Sequence, residues 1–324
     1  MKDLRNIVLF VLVVAVIPVF SDSGVVLNFV MTALYACLLA QAWNVLGGFG
    51  GQFSFGHALF FGTGAYVQAI AQMRWGLNPW LALPLGMLLA ASVGAFVGAV
   101  SFRYGLRGSY FALVTLAFAE VFRIVATSVP FTGAGVGLML PLRESAANMQ
   151  FGSRHGFVWL ILGLVTLALL ITAWLRHSRF GACLQAVRDN EDAARAVGVD
   201  PFRIKLAATV LSGGLMGAAG AFYVQVFQYI DPGIAYGPHT SVEALVGAIV
   251  GGMGTLWGPV LGAIGLHILA DLTRNLFGQL PGINMVIYGV VLVLIVMFLP
   301  RGIAGIGLFT PMQWVRGLTG KERA

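Results

Sequence analysis

Long apolar stretches alternate with short polar ones along the chain, at 1–23, 25–46, 79–102, 110–129, 157–175, 206–227 and 283–299. Runs of about 18 or more apolar residues predict membrane-spanning helices. Two further stretches follow the pattern with breaks. In 46–72 the first part, 47–52, is too rich in glycine for ordinary helix, and the remainder continues apolar to Gln72. In 243–270 the helix pattern is interrupted by Gly251, Gly252, Gly254, Gly258 and Pro259. Both breaks share GGxG, at Gly47-Gly48-Phe49-Gly50 and Gly251-Gly252-Met253-Gly254, which hints at an internal duplication.

One polar island, 176–205, stands against this background with the sequence RHSRFGACLQAVRDNEDAARAVGVDPFRIK. It has helix punctuation of its own. Asp189 or Asn190 can cap a short helix whose first turn carries Glu191 and Asp192, with Gly198 as its stop. Asp200-Pro201 then restarts a helix, proline being tolerated at the first helical position. Ala193, Ala194, Ala196 and Val197 give the short helix a small apolar patch amid charge, suited to a groove on another protein. A solvated connector is the plainer alternative.

Charge placement orients the spans. With the N-terminus inside, 1–6, 47–52, 103–108 and 176–205 are cytoplasmic, in line with the concentration of Lys and Arg on that side. A single span over 243–270 would leave the basic C-terminal tail outside. A glycine-broken or re-entrant pair returns it to the cytoplasm, each arm being about 12 residues and too short alone for a hydrocarbon core of about 30 Å. Arg74, Arg143, Arg154 and Arg274 then lie outside and Arg123 within a span. Residues 1–23 have the basic start and apolar middle of a secretory signal, but no clear small-x-small site follows, so a retained first span is expected. The outside loop 130–156 reads equally as a solvated connection or a docking surface.

Composition agrees with this picture: 59% of residues are hydrophobic and 10% charged, far from the quarter typical of soluble domains. The expectation is an all-α polytopic membrane protein, one transmembrane domain over 1–324, with about eight full transmembrane helices plus the broken pair. The net charge of +7 belongs to loop placement in a lipid bilayer and does not indicate nucleic acid. Forty-three glycines suit close helix packing in lipid. Cys37 in a span and Cys183 in the island make no disulfide framework.

Few residues carry chemistry. Non-helical backbone at membrane depth is tolerated where protein buries it or it lines a water-filled cavity, so both breaks point to a substrate pathway. Gln52, Ser54, His57 and Thr63 follow the first break, and Ser54 and His57 share a face if that stretch is helical. These four, with Gly252 and Gly254 of the second break, are candidates for the pathway lining or, alternatively, partners for backbone groups that the breaks set free. Glu120 and Arg123, three apart in a span, are neighbours on one helix face. They form a structural pair or belong to the pathway, since intramembrane charges face the bundle interior or a cavity. His57 and His267 lack a second ligand at helical spacing, so no metal is expected. None of the three lysines sits in G-x-x-x-x-G-K-[ST], so any ATP must be bound by another polypeptide.

The stretch RFGACLQAVRDNEDAARAVGVDPFRIKLAATVLSGGLMGAAGAFY resembles the cytoplasmic loop and following helix of bacterial branched-chain amino acid ABC permeases of the M type. GGFGGQFSFGHALFFGTGAY, RGSYFALVTLAFAEVFRIV and VEALVGAIVGGMGTLWGPVLGA resemble further stretches of that family, in order, over roughly 40–300. The resemblance implies an ABC importer permease bundle in the bacterial inner membrane, both termini cytoplasmic. It implies that Asp189, Asn190, Glu191, Asp192, Ala193, Ala194, Arg195 and Gly198 form or flank a coupling helix seated on an ATPase subunit. Many relatives carry a charge where this chain has Asn190. The partners implied are a homologous H-type permease, two ATP-binding subunits and a periplasmic substrate-binding protein. No cofactor, no metal and no catalytic residue are expected, and substrate passes between the two permeases. A urea or short-amide importer of the same superfamily is the alternative. An ion-coupled secondary transporter would want carboxylates near the bilayer midplane, where only Glu120 qualifies. An intramembrane enzyme would need a His/Asp or Ser/His constellation that the spans lack.

Overall fold

The structure, a computed structural model, describes residues 2–277 together with 286, 287, 289, 290, 293, 294, 297 and 302–304. Long helices dominate: α1 (Lys2–Phe20), α2 (Gly24–Asn44), α3 (His57–Trp75), α4 (Pro79–Arg103), α5 (Gly108–Ser128), α6 (Arg154–His177), and, after the island, α9 (Pro201–Phe227). The island folds as α7 (Arg179–Asp189) and α8 (Glu191–Ala196), and α10 (Pro232–Tyr236), α11 (Pro238–Gly251) and α12 (Gly258–Phe277) complete the described helices. Six of these, α1, α2, α4, α5, α6 and α9, are long and apolar enough to cross a membrane. The predicted span 283–299 falls largely outside the described residues, as does the C-terminal tail.

Glycine decides the packing of the bundle's centre. α3, α4 and α9 form the tightest group of helices. A Cβ on Gly64 of α3 would overlap the Gly217 carbonyl of α9, and one on Gly220 would overlap the Phe61 carbonyl. Removing side chains there lets backbones approach within dispersion range, the form of attraction that lipid cannot replace. Against this group lies α2, whose second half is buried residue after residue from Cys37 to Asn44. It also touches α6, α9, α11 and α12.

The two glycine breaks take different forms. α2 runs into a π-helical turn, Val45–Phe49, so the helix widens before it ends, and residues 50–56 are not helical. Ser54 and His57 therefore do not share a helix face as the sequence suggested, because Ser54 precedes the helix that His57 begins. The second break is the turn of a helical hairpin, and its arms are unequal. α11 has 14 residues, about 21 Å of helix, whereas α12 has 20, about 30 Å, with its apolar part over Gly258–Thr273. Both arms are longer than the 12 residues expected and they are unequal, and neither is among the six helices long and apolar enough to cross a membrane.

Ion pairs gather the stretches predicted to share one side. Asp3, at the start of α1, accepts from Arg176 and His177 at the end of α6. Arg107, before α5, pairs with Glu191 and Asp192 of α8. Arg188 of α7 reaches the π turn. The end of the bundle holding these contacts is called basal below. At the distal end, residues 130–153 fold onto the bundle. Leu138–Met139 (β1) pairs antiparallel with Tyr229–Ile230 (β2), and Trp80 donates through Nε1 to the Ala146 carbonyl.

Candidate functional site

The basal end is built from the island upward. The Ser178 hydroxyl accepts from Gly181 N–H to begin α7, and a Cβ on Gly181 would overlap the Leu175 carbonyl, which permits the sharp bend out of α6. The cap of α8 is Asn190, not Asp189: its Oδ1 accepts from Asp192 N–H (3.1 Å) and Ala193 N–H (2.9 Å). Gly198 ends that helix at φ +88°, a left-handed conformation that favours glycine. Asp200 caps α9 through Phe202 N–H and Arg203 N–H, with Pro201 first in the helix.

Glu191 is the hub of the electrostatics. Lys205 Nζ lies 3.0 Å from its carboxylate, Arg107 Nε 3.2 Å and Arg195 Nη2 3.3 Å. Lys205 is only 2% exposed and also sits over the face of Phe102. Beneath, Leu46 and Phe49 of the π turn, Phe102, Phe111, Leu184 and Ala208 form a small apolar cluster of their own. The island thus rests on a second core shared by the first break and the basal ends of α4, α5, α7 and α9.

Arg188 joins the island to both breaks. Its Nη1 donates to the Gly48 carbonyl (2.9 Å), and a Cβ on Gly254 would lie 3.0 Å from the same nitrogen. The breaks themselves meet through Asn44. Gly254 N–H donates to Asn44 Oδ1 (2.7 Å), while Asn44 Nδ2 donates to the Thr255 carbonyl (3.0 Å). One turn back on α2, Gln41 Nε2 donates to the Leu256 carbonyl (2.7 Å) and its Oε1 accepts from Thr172. A Cβ on Gly48 would stand 2.5 Å from Gly254 N, so backbone touches backbone. Gly252 and Gly254 hold φ +116° and +75°, which the hairpin turn requires and other residues resist.

The other residues singled out from sequence are scattered. Gln52, Ser54, His57 and Thr63 are all buried within this chain's own bundle. Ser212 Oγ donates to the Ala42 carbonyl (2.7 Å) and so accepts from His57 Nε2 (2.8 Å). Thr63 donates to the Leu59 carbonyl, and Trp43 Nε1 to that of Ser54. His267 is hydrogen-bonded to Thr32. Within α8, Ala194 faces inward at 3% exposure, whereas Ala193, Ala196 and Val197 face outward, Val197 at 80%. The apolar patch is therefore smaller than the sequence suggested, because one of its four members packs against the bundle.

Glu120 and Arg123 form a pair on α5. Arg123 Nε donates to Glu120 Oε2 (2.8 Å) and Nη2 to Oε1 (2.5 Å), a bidentate pair with both side chains more than a third exposed. The face of α5 with Phe111, Ala112, Thr115, Ala119 and Ala126 packs on the bundle, and Arg123, one turn after Ala119, lies at its border while Glu120 is exposed. The sequence places Gln41 and Asn44 at the end of the span 25–46 without indicating their partners. The same holds for Arg188, Glu191–Lys205 and Arg107, for which the island's capping pattern gave the neighbourhood but not the partners.

Residues 25–296 match the family described as branched-chain amino acid transport system, permease component. The high-affinity branched-chain amino acid transport system permease protein LivM of Escherichia coli K12 is 30% identical, the alignment covering 93% of this chain and 75% of that protein. The protein of the same description from Salmonella typhimurium is also 30% identical, over 90% of this chain and 73% of its own length. A probable branched-chain amino acid transport permease protein LivH from Methanocaldococcus jannaschii is 28% identical, over 78% of this chain and 81% of its own. No solved structure matches the chain.

Proposed function

The chain belongs to the permease-component family of branched-chain amino acid transport systems, and from that premise we propose that it is a membrane subunit of an ATP-driven, binding-protein-dependent importer of branched-chain amino acids. It sits in the bacterial inner membrane with the basal end and both termini cytoplasmic. Two separate ATP-binding subunits supply hydrolysis, and α8 docks on one of them. Residues 189–198 are the coupling segment, with Ala193, Ala196 and Val197 as its contact patch and Glu191, Asp192 and Arg195 holding it in place.

The observation that carries this reading is the attachment of α8. A solvated connector needs no route into the bundle, yet this island is tied to α4–α5 by Arg107, to α9 by the buried Lys205, and to both glycine breaks by Arg188. A push on α8 is transmitted as a rigid displacement, because close-packed interiors pass strain on rather than absorb it. The breaks, with Gly252 and Gly254, are the place where that displacement bends helices. Substrate crosses between this chain and a homologous H-type permease, along the face of α5 that bears Glu120. Gln52, Ser54, His57 and Thr63 support the passage from behind, and a periplasmic binding protein delivers substrate at the distal end. The chain forms no covalent bond to substrate.

Val197→Arg places a long charged side chain on the exposed patch without touching the bundle. The assembled complex carrying it should insert normally and lose substrate-stimulated ATP hydrolysis at least tenfold. Stimulation within twofold of the unmodified complex would remove α8 as the docking element.

A further inference from the structure

A bidentate ion pair on the outer face of a membrane helix is an expensive thing to leave in hydrocarbon. Intramembrane charges are found facing a bundle interior or a water-filled cavity, paired with one another. Here the pair is made, but among the described residues its two side chains stay more than a third exposed: Glu120 stands on the exposed face of α5, and Arg123, one turn after the buried Ala119, lies at the border of the packed face. Glu120 lies twelve residues from the helix start, about 18 Å along α5, and so well inside the apolar span Gly108–Ser128. Its neighbours on that face are apolar and exposed, namely Leu113, Leu116, Val121 and Ile124.

A free amino acid complements this combination. An α-amino acid is a zwitterion, with carboxylate and ammonium on one carbon and, for a branched-chain residue, a hydrocarbon side chain. We propose that Glu120 and Arg123 receive the head group of the transported amino acid, Arg123 taking its carboxylate and Glu120 its ammonium, while the apolar residues beside them take its side chain. The inference rests on the importer reading above and names the residues that recognise the substrate class.

Charge is conserved in the exchange. Before binding, Glu120 neutralises Arg123. After binding, each of the two charges faces its opposite on the ligand, so no charge is left unpaired in low dielectric. A ligand with only one of the two groups breaks the pair and strands one member, which is costly where water is excluded. The guanidinium's planar fork suits a carboxylate, whether from Glu120 or from a substrate.

The test is a double-mutant cycle on the complete transporter in ATP-loaded proteoliposomes, with leucine uptake as one readout. Glu120→Gln and Arg123→Gln should each lower uptake at least tenfold, and the double variant should be no better than the worse single. The second readout is thermal stabilisation of the assembled complex, without its binding protein, by millimolar ligand. Leucine should stabilise the unmodified complex and not the double variant, and neither isoamylamine nor 4-methylpentanoate should stabilise either. Should the double variant regain uptake to within twofold, the pair only neutralises itself and the proposal falls. Equal stabilisation by the singly charged analogues overturns it as well, and so does loss of the partner permease on co-purification, which would make the pair an assembly contact. If the unmodified complex imports no leucine, the importer reading fails and takes this inference with it. If it does and the variants match it, only the inference fails.

Discussion

Replacing Glu191 by glutamine removes the charge that Lys205 depends on while leaving the shape of the side chain nearly intact. Lys205 Nζ is 3.0 Å from the Glu191 carboxylate and 2% exposed. At an effective dielectric constant of about 20, unit charges at that separation attract by about 5–6 kcal/mol. Glutamine retains an acceptor for Nζ, and Phe102 offers its ring face, worth about 0.5–2 kcal/mol. What remains is the cost of a buried ammonium without its counter-ion, about 3 kcal/mol at the lower end of measured values because Glu191 keeps some exposure. Loss of the exposed Arg107 and Arg195 pairs adds about 1 kcal/mol at most. For a chain of 324 residues, about 3 kcal/mol corresponds to a fall in Tm of about 4–5 °C. The assay is thermal unfolding of the detergent-solubilised protein followed by circular dichroism. Pairing Glu191→Gln with Lys205→Met should recover most of that fall, since removing both charges leaves nothing stranded. A single variant within about 2 °C of the parent, or a double variant no more stable than the single, would show that Lys205 does not lean on Glu191.

Three other expectations follow from the basal contacts. Arg188→Ala removes a charged donor from the Gly48 carbonyl and, in the complex, should leave ATPase subunits bound while lowering uptake per ATP hydrolysed several-fold, with Arg188→Lys intermediate. Gly254→Ala forces a side chain into a left-handed position, at about 1–2 kcal/mol, and against Arg188, so its Tm should fall by about 1.5–3 °C where Gly163→Ala, which meets open space, changes little. Cys183 is half-buried on α7 and Cys37 fully buried, so a thiol reagent that crosses membranes should label Cys183 in intact cells while an impermeant one added outside should not. Labelling by the impermeant reagent would invert the orientation proposed for the bundle.

What the sequence made readable is local chemistry. The boundaries of α8 and the start of α9 follow from an Asx cap, a left-handed glycine and Asp-Pro, each of which acts within four residues. The breaks at 47–52 and 251–258 were visible for the same reason: glycine density marks where regular helix is disfavoured. Their form was not visible. A π turn at Val45–Phe49 has no sequence period of its own, and unequal arms around Gly252 depend on where Pro238 and Gly258 find neighbours. Ala194 was misread because alanine belongs equally on a buried face and an exposed one, and a helix of six residues has too few positions to define a stripe. Glu120 and Arg123 were readable as a pair from their spacing. The side of α5 they occupy was fixed only by the packing of its buried face.

The meeting of the two breaks is the feature that neither stretch announces alone, and it bears most on how a push on the island could be used. Some two hundred residues separate Gly48 from Gly254, and the contact between them is carried by backbone atoms that any sequence possesses. Glycine is needed there for what it lacks: a Cβ on Gly48 would overlap Asn44 Oδ1 and stand 2.5 Å from Gly254 N, and one on Gly254 would crowd the Gly48 carbonyl at 3.1 Å. Because Arg188 donates to the carbonyl of Gly48 and lies where a Cβ on Gly254 would stand 3.0 Å away, the island reaches both breaks where regular helix is interrupted. A rigid strut against a mid-helix position would have to break several i→i−4 hydrogen bonds to bend it. Against a π turn and a left-handed turn there is less regular helix to break, so a small displacement of α7–α8 can reorient α2–α3 and α11–α12 together. Coupled bending at two breaks from one contact is what opening a passage to one side at a time would require, and Arg188 is the side chain placed to link them.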